Sequence, residues 1–198
     1  MSLWQAGRMV KVAIVFHSGS GCTQLTAAAV ARGVDLQPGA NAVVVGIDPA
    51  DFSDGRWSNQ KTLRMLDDCD AIVFGCPTYM GGASAQLKAF FDSTLDRYSS
   101  QAWRDKVAGG FTVSSTPSGD KLQTLVSMAT FAMQMGMVWV GLDQLPVNEE
   151  GLNRLSYYFG AGVQADYSVE QPAIDERDER TATLLGTRIA RITAQLSA

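Results

Sequence analysis

The groups in this sequence best suited to binding a charged ligand lie in HSGSGCT, residues 17–23. Ser18, Ser20 and Thr23 offer hydroxyls, and Gly19 and Gly21 let the backbone bend so that its N–H groups converge. A loop of this kind entering a helix makes an anion cradle, because a helix N-terminus supplies unpaired N–H groups and positive potential. The same residues also suit a plain Gly/Ser turn that caps the helix. Two phosphate motifs are incomplete here. A nucleoside-triphosphate loop needs a lysine after its second glycine, and none is present. A dinucleotide loop needs Gly-x-Gly-x-x-Gly; Gly19 and Gly21 fit, but Gln24 stands where the third glycine belongs. Asp48, after the next apolar run, suits a ribose and keeps that reading open.

Two further stretches carry different chemistry. In CPTYMGG, residues 76–82, Pro77 stiffens the chain, Gly81 and Gly82 permit unusual dihedrals, and Thr78, Tyr79 and Met80 are expected to project at a loop tip. Tyr and Met offer flat, polarisable apolar surface, which suits an aromatic ring system better than a sugar or phosphate. In SSTPSGDK, residues 114–121, Ser114, Ser115, Thr116, Pro117, Ser118 and Gly119 form a hydroxyl- and backbone-rich turn into a helix; taken alone it reads as a plain loop with Asp120 as cap. A phosphate cradle flanked by one aromatic loop and one backbone-rich loop suits a ring system joined to a single phosphate. Flavin mononucleotide (FMN) fits that description.

These loops are positioned by alternating elements. The continuous apolar run Val10–Phe16 reads as a strand buried on both faces, and Asn41–Ile47, Ala71–Gly75, Val107–Val113 and Met137–Leu142 read as further strands. Helical spacing is expected over Thr23–Arg32, stopped by Gly33, and over Asn59–Asp68. Ser84 is a candidate N-cap for a stripe of Leu87, Phe90, Phe91, Leu95 and Tyr98. Lys121–Met135, ended by Gly136, presents Leu122, Leu125, Val126, Ala129, Ala132 and Met133 on one side, and Ala173–Leu196 forms the last helix. Five strands alternating with helices predict an α/β fold: a three-layer, doubly wound, five-stranded parallel sheet. Ligands of such sheets bind beyond the carboxyl ends of the strands, where the three loops lie. This placement tips residues 17–23 toward phosphate.

The chain of 198 residues is read as one domain from residue 10 onward, with MSLWQAGR as a tag remnant or frayed terminus. A net charge of −4 without a basic stripe argues against nucleic acid, and no apolar run is long enough to span a membrane. The single histidine, His17, excludes a multi-histidine metal site. Three cysteines without a Cys-x-x-Cys pair suit reduced thiols in the cytoplasm. If the strand order is 2-1-3-4-5, Cys22 and Cys76 end neighbouring strands, so oxidative pairing is weighed against buried, inert thiols, the favoured reading.

At these residues the sequence resembles the flavodoxin-like family, and within it the NAD(P)H:quinone oxidoreductases of the tryptophan-repressor-binding-protein type and their FMN-reductase relatives. FHSGSGCT resembles the phosphate loop, AIVFGCPTYMGGASAQLKAFFDST the segment after the third strand, DKVAGGFTVSSTPSGDKLQTL the fourth strand and its flavin loop, and GMVWVG the fifth. The likeness covers residues 10–142. It implies that Ser18–Thr23 hold the phosphate and that Thr78–Gly81 and Ser114–Gly119 touch the isoalloxazine ring. It also implies electron transfer from NAD(P)H through FMN to a quinone-like acceptor in a homodimer or homotetramer; the alternative is a flavodoxin-type electron carrier, which is expected to be shorter and more acidic. The family's histidine after the fourth strand is absent: that region reads MQMGM. No side chain is required as acid or base, so no catalytic residue is named. The segment 143–171, with Tyr157, Tyr158 and Gly160, suits either a cover for a neighbouring subunit's flavin or, preferably, a buried subunit interface.

Overall fold

A computed structural model describes residues 8–166 and 168–197. Strand β1 (Val10–Phe16) leads through α1 (Cys22–Asp35) to β2 (Ala40–Gly46). A small hairpin, β3 (Phe52–Ser53) and β4 (Arg56–Trp57), precedes α2 (Gln60–Asp67). Strand β5 (Ala71–Tyr79) turns back as β6 (Gly82–Ala83) into α3 (Ala85–Asp92) and α4 (Leu95–Ser100). Then come β7 (Val107–Ser114), α5 (Lys121–Gln134), β8 (Val138–Trp139), β9 (Ala161–Asp166), β10 (Ala173–Ile174) and α6 (Glu176–Leu196).

The main sheet runs β10-β9-β7-β5-β1-β2, parallel except for β10. Apart from β10, this is the order 2-1-3-4-5 that the family resemblance implies. Both faces are covered at β1, β5 and β7, which is why these strands read as apolar runs, whereas the edge strand β2 is partly exposed, with Val44 open to solvent. On one face Ala13, Val15, Ile72, Phe74 and Ala108 meet Leu63 and Leu66 of α2, Phe90 of α3 and Leu125 and Met128 of α5. On the other, Val12, Ile14, Val73, Val107 and Phe111 meet Val30 and Val34 of α1 and Leu185 and Ile189 of α6.

The fifth strand differs from the expectation of Met137–Leu142. Its place is shared: β8 pairs with Val107 and Ala108 at the start of β7, and β9 pairs with Phe111–Ser114 at its end. The intervening chain is an insertion into this strand, and among the described residues of the expected 143–171 loop only 161–166 are sheet. The last helix begins at Glu176 rather than Ala173, because Ala173 and Ile174 pair with β9 and Asp175 caps the helix, its carboxylate accepting from the N–H of Arg177. The expected stripe through Tyr98 breaks where Ser93 and Thr94 donate their hydroxyls to the carbonyls of Phe90 and Phe91, and Leu95 and Tyr98 face outward. On α5, Leu122 and Met133 also face solvent, and Leu125, Met128, Ala129 and Ala132 are the buried side. Of the leading residues, 1–7 lie outside the described residues, and Arg8 forms an ion pair with Asp70 at 2.8 Å.

Gly33 does not end α1. It lies within the helix, where α1 and α6 cross at close range: a Cβ there would overlap the Thr183 carbonyl, and one at Gly186 would overlap the Val30 carbonyl. Thr187 Oγ1 donates to the Gly33 carbonyl across the same crossing at 2.8 Å. An exposed helical Gly→Ala change gains about 1 kcal/mol. Here Gly33→Ala is expected to lose about 2–3 kcal/mol, because backbone cannot yield as a side chain does. Chemical denaturation of the two proteins measures the sign.

Candidate functional site

The carboxyl ends of β1, β5 and β7 open on one edge, and the three predicted loops meet there. Ser20, Cys22, Thr23, Pro77, Thr78, Tyr79, Val113, Ser114 and Ser115 line a single cleft of about 120 Å³. Larger hollows exist, of about 680 Å³ between α3, α4 and α5 and about 740 Å³ beside Pro117, Ser118 and Tyr157. The small cleft is the better candidate, because only there do three strand ends and a long helix's positive end converge.

The first loop is built around the start of α1. Ser18 Oγ accepts from the N–H groups of Gly21 and Gln24, at 3.1 and 3.3 Å, and so folds the loop over the helix end. Gly21 sits before the helix at φ 91°, where a Cβ would strike Pro172. Gly21 has no side chain, so Ser18 caps the helix instead, at Gln24. The first turn of this 14-residue helix brings Cys22 and Thr23 to the cleft with its positive end. His17 Nδ1 lies 3.0 Å from Ser84 Oγ, and burial lowers its pKa, which favours the neutral ring. Asp48 is used locally: its carboxylate accepts from Ala50 N–H at 2.8 Å and caps a short turn.

The second stretch is a hairpin rather than a free loop. Met80 and Gly81, both at positive φ, make a two-residue turn between the paired residues Tyr79 and Gly82. Met80 is fully exposed at the tip. Thr78 corrects the expectation that its side chain projects: it is buried, with Oγ1 2.8 Å from both Thr112 Oγ1 and Thr124 Oγ1. Tyr79 is half exposed and reaches back over the first loop, so closely that a Cβ on Gly19 would overlap its hydroxyl. Gly19 thus leaves the space that the Tyr79 hydroxyl occupies.

The third loop, residues 114–119, is held by its carbonyls. Gln164 Nε2 donates to Ser115 O at 3.2 Å, Lys121 Nζ to Thr116 O and Pro117 O at 2.6 and 3.1 Å, and the Tyr157 hydroxyl to Ser118 O at 2.6 Å. Only Ser114 and Ser115 line the cleft; Pro117 and Ser118 border the neighbouring hollow with Tyr157. Asp120 precedes α5 but makes no side-chain cap, as it sits in left-handed conformation. Behind the loop, the buried Asp178 carboxylate accepts from Arg154 and from Gln164 N–H, both at 2.8 Å. Burial pushes the Asp178 pKa up and the Lys121 pKa down to about 8.

Sequence does not single out Lys121, Arg154, Gln164 or Asp178, and it points to Tyr157 only as a flavin cover or interface residue, whereas here Tyr157 holds a loop of its own subunit. Lys121 alone left a signal: a cation in the first turn of a helix opposes the helix dipole and so calls for another reason to be there.

The NADPH-dependent FMN reductase family model matches residues 11–151. The chain belongs to this family. Among curated relatives, a protein named flavodoxin FldP from Pseudomonas aeruginosa is 37% identical, aligned over 96% of this chain and all of its own length. An NAD(P)H dehydrogenase (quinone) from Archaeoglobus fulgidus is 33% identical over 95% of this chain and all of its own. A solved structure from Agrobacterium tumefaciens, described as a WrbA-like flavodoxin, superposes with a TM-score of 0.73 at 36% identity and covers 94% of this chain and 98% of its own. Against this family's fold, the insertion into the edge strand supplies Arg154 and Tyr157, which brace the third loop of the same subunit.

The idea of a Cys22–Cys76 pair fails on geometry. Cys76 packs on the face covered by α2, α3 and α5, whereas Cys22 packs with Val113 and Val163 on the opposite face. Both are free and buried, and burial pushes the Cys76 thiol up to about 11. Mild oxidation of the native protein is expected to leave both thiols unbridged by peptide mass mapping. Alkylation near neutral pH is expected to reach Cys76 only after unfolding.

Proposed function

We propose that the protein is an FMN-dependent oxidoreductase that takes electrons from NAD(P)H and passes them to a quinone or similar small acceptor. One observation carries this reading: three loops of the expected chemistry meet at a cleft lined by Cys22 and Thr23, the first two residues of α1, at the helix's positive end. The donor set fits the cofactor. Ser18, Ser20, Gly21, Cys22 and Thr23 surround the helix end and would hold the phosphate through hydroxyls and N–H groups. Pro77, Thr78, Tyr79, Met80 and Gly81 would form one wall at the flavin ring, with Tyr79 as the stacking group and Thr78 acting through its backbone. Ser114, Ser115, Thr116, Pro117, Ser118 and Gly119 would form the other wall.

When bound, FMN supplies the hydride and electron chemistry, and the protein supplies binding and orientation. The carbonyls of residues 115–118 are engaged by Gln164, Lys121 and Tyr157. A trans peptide directs the following N–H the opposite way, so the N–H groups of Thr116, Ser118 and Gly119 point away from those anchors. Among the described residues none of the three has an acceptor within the chain. They are free to donate to the electron-rich edge of a flavin ring and to stabilise negative charge that develops there.

A second reading is favoured by one finding. The Pseudomonas aeruginosa relative is named a flavodoxin and matches over its whole length, so length does not separate carrier from reductase. For the assembly we propose a homodimer or homotetramer built on exposed apolar groups such as Leu95, Val147, Tyr158 and Phe159. No helix among the described residues is long and apolar enough to cross a membrane. With three free, buried cysteines, the cytoplasm is the compartment we propose.

The FMN-loaded protein is expected to oxidise NADPH or NADH with a benzoquinone acceptor; FMN binding without turnover would leave the carrier. Gly19→Ala is expected to displace the Tyr79 hydroxyl, a side-chain end that can move, so stability should change little. FMN affinity, by fluorescence titration, should fall about tenfold, or about 1.4 kcal/mol.

A further inference from the structure

Lys121 has no accessible surface, an unusual condition for a lysine. Its ammonium donates to two successive carbonyls, Thr116 O and Pro117 O, in the loop that runs directly into its own helix. Two carbonyls held by one cation fix the plane of both peptides. The Thr116–Pro117 peptide has no N–H, so the Pro117–Ser118 peptide carries the consequence: its carbonyl faces the ammonium and its N–H faces away from the buried interior.

We propose that Lys121 is the positioning residue for the flavin loop: its buried ammonium sets the peptide planes of residues 116–118 and so aims the Ser118 N–H outward at the ring. This rests on the reading of residues 114–119 as a flavin wall. The residues facing Lys121 from other elements support the assignment. Asp178 of α6 lies behind it and favours the charged form, while Arg154 from the insertion opposes that charge and is itself engaged by Asp178 at 2.8 Å. The Tyr157 hydroxyl holds the next carbonyl, Ser118 O, from the insertion side. Asp120, the adjacent acid, acts on Tyr157 rather than on Lys121.

Lys121 differs from an ordinary structural lysine in its titration. Burial brings its pKa down to about 8, so the charge is present below that pH and is lost as pH rises through it. A charged donor bonds a carbonyl roughly twice as strongly as a neutral amine, so the loop loosens across the same range.

Flavin-free protein is titrated with FMN by fluorescence between about pH 7 and pH 9, around the lysine's value of about 8. Native affinity is expected to fall about fivefold as pH rises, from the loss of charge assistance. Lys121→Met is expected to bind more weakly with no such step, and Lys121→Arg, which stays charged, to bind near native affinity across the range. Circular dichroism checks that each variant is folded, and the native profile needs no variant. Hydrogen exchange of residues 115–120 in the flavin-free protein is expected to rise in Lys121→Met. Native affinity in Lys121→Met, or the same pH step persisting there, overturns the proposal, as does unchanged exchange. If the native protein binds no FMN at any pH, the flavin reading falls, while the exchange result still decides whether Lys121 holds the loop.

Discussion

A parallel sheet can be stable only if both of its faces are covered, and every other feature of this molecule follows from how that is met. The strands β1, β5 and β7 run in one direction, so their carboxyl ends emerge together and their loops must share one edge. Coverage is tight enough to dictate residue size. In the row Phe16–Gly75–Phe111 across three strands, the ring of Phe111 fills the space where a Gly75 side chain would stand. At the neighbouring glycines of β7, Ile189 of α6 closes on Gly109 and Trp139 of β8 on Gly110. Large groups from neighbouring strands and from α6 thus fill the space that side chains on these central strands would occupy.

The same coverage creates an electrostatic problem at the end of β7. Burying an ion costs several kcal/mol unless partners replace its water. Here Lys121 is compensated by two carbonyls and by the nearby Asp178, and Asp178 by Arg154 and a backbone N–H. The carbonyls come from the loop, Arg154 from the insertion, and Asp178 from α6. Removing any one leaves a buried charge with fewer partners. The loop over the cleft, the insertion and the last helix therefore behave as one unit, although they are far apart in sequence.

The insertion changes meaning in this light. Its length suggested a subunit contact, and its exposed Val147, Tyr158 and Phe159 remain available for one. Its buried residues serve the same subunit: Asn153 accepts the N–H of Tyr157 and donates to Gln144 O, which fixes the segment that carries the Tyr157 hydroxyl to Ser118. An edge strand is the position where such a segment can enter without breaking the central ladder, because only one neighbour is disturbed.

By itself the sequence determined the alternation of strands and helices and the edge on which the loops gather. These depend on local periodicity and on the requirement that continuous apolar runs be buried on both faces. Residues 17–23 were legible for the same reason, since a glycine- and hydroxyl-rich turn before a helix carries its electrostatics with it. Tertiary structure alone decided which way each side chain is spent. Thr78 turns inward because Thr112 and Thr124 offer hydroxyls from β7 and α5. Gly33 lies inside a helix because α6 crosses there, not because the helix ends. Cys22 and Cys76 are parted by the sheet itself. Lys121, Gln164 and Tyr157 acquire their roles only when chain segments far apart in sequence close around the carbonyls of one short loop. Periodicity reports the surface a residue buries; it carries no information about the polar atom that waits across the gap.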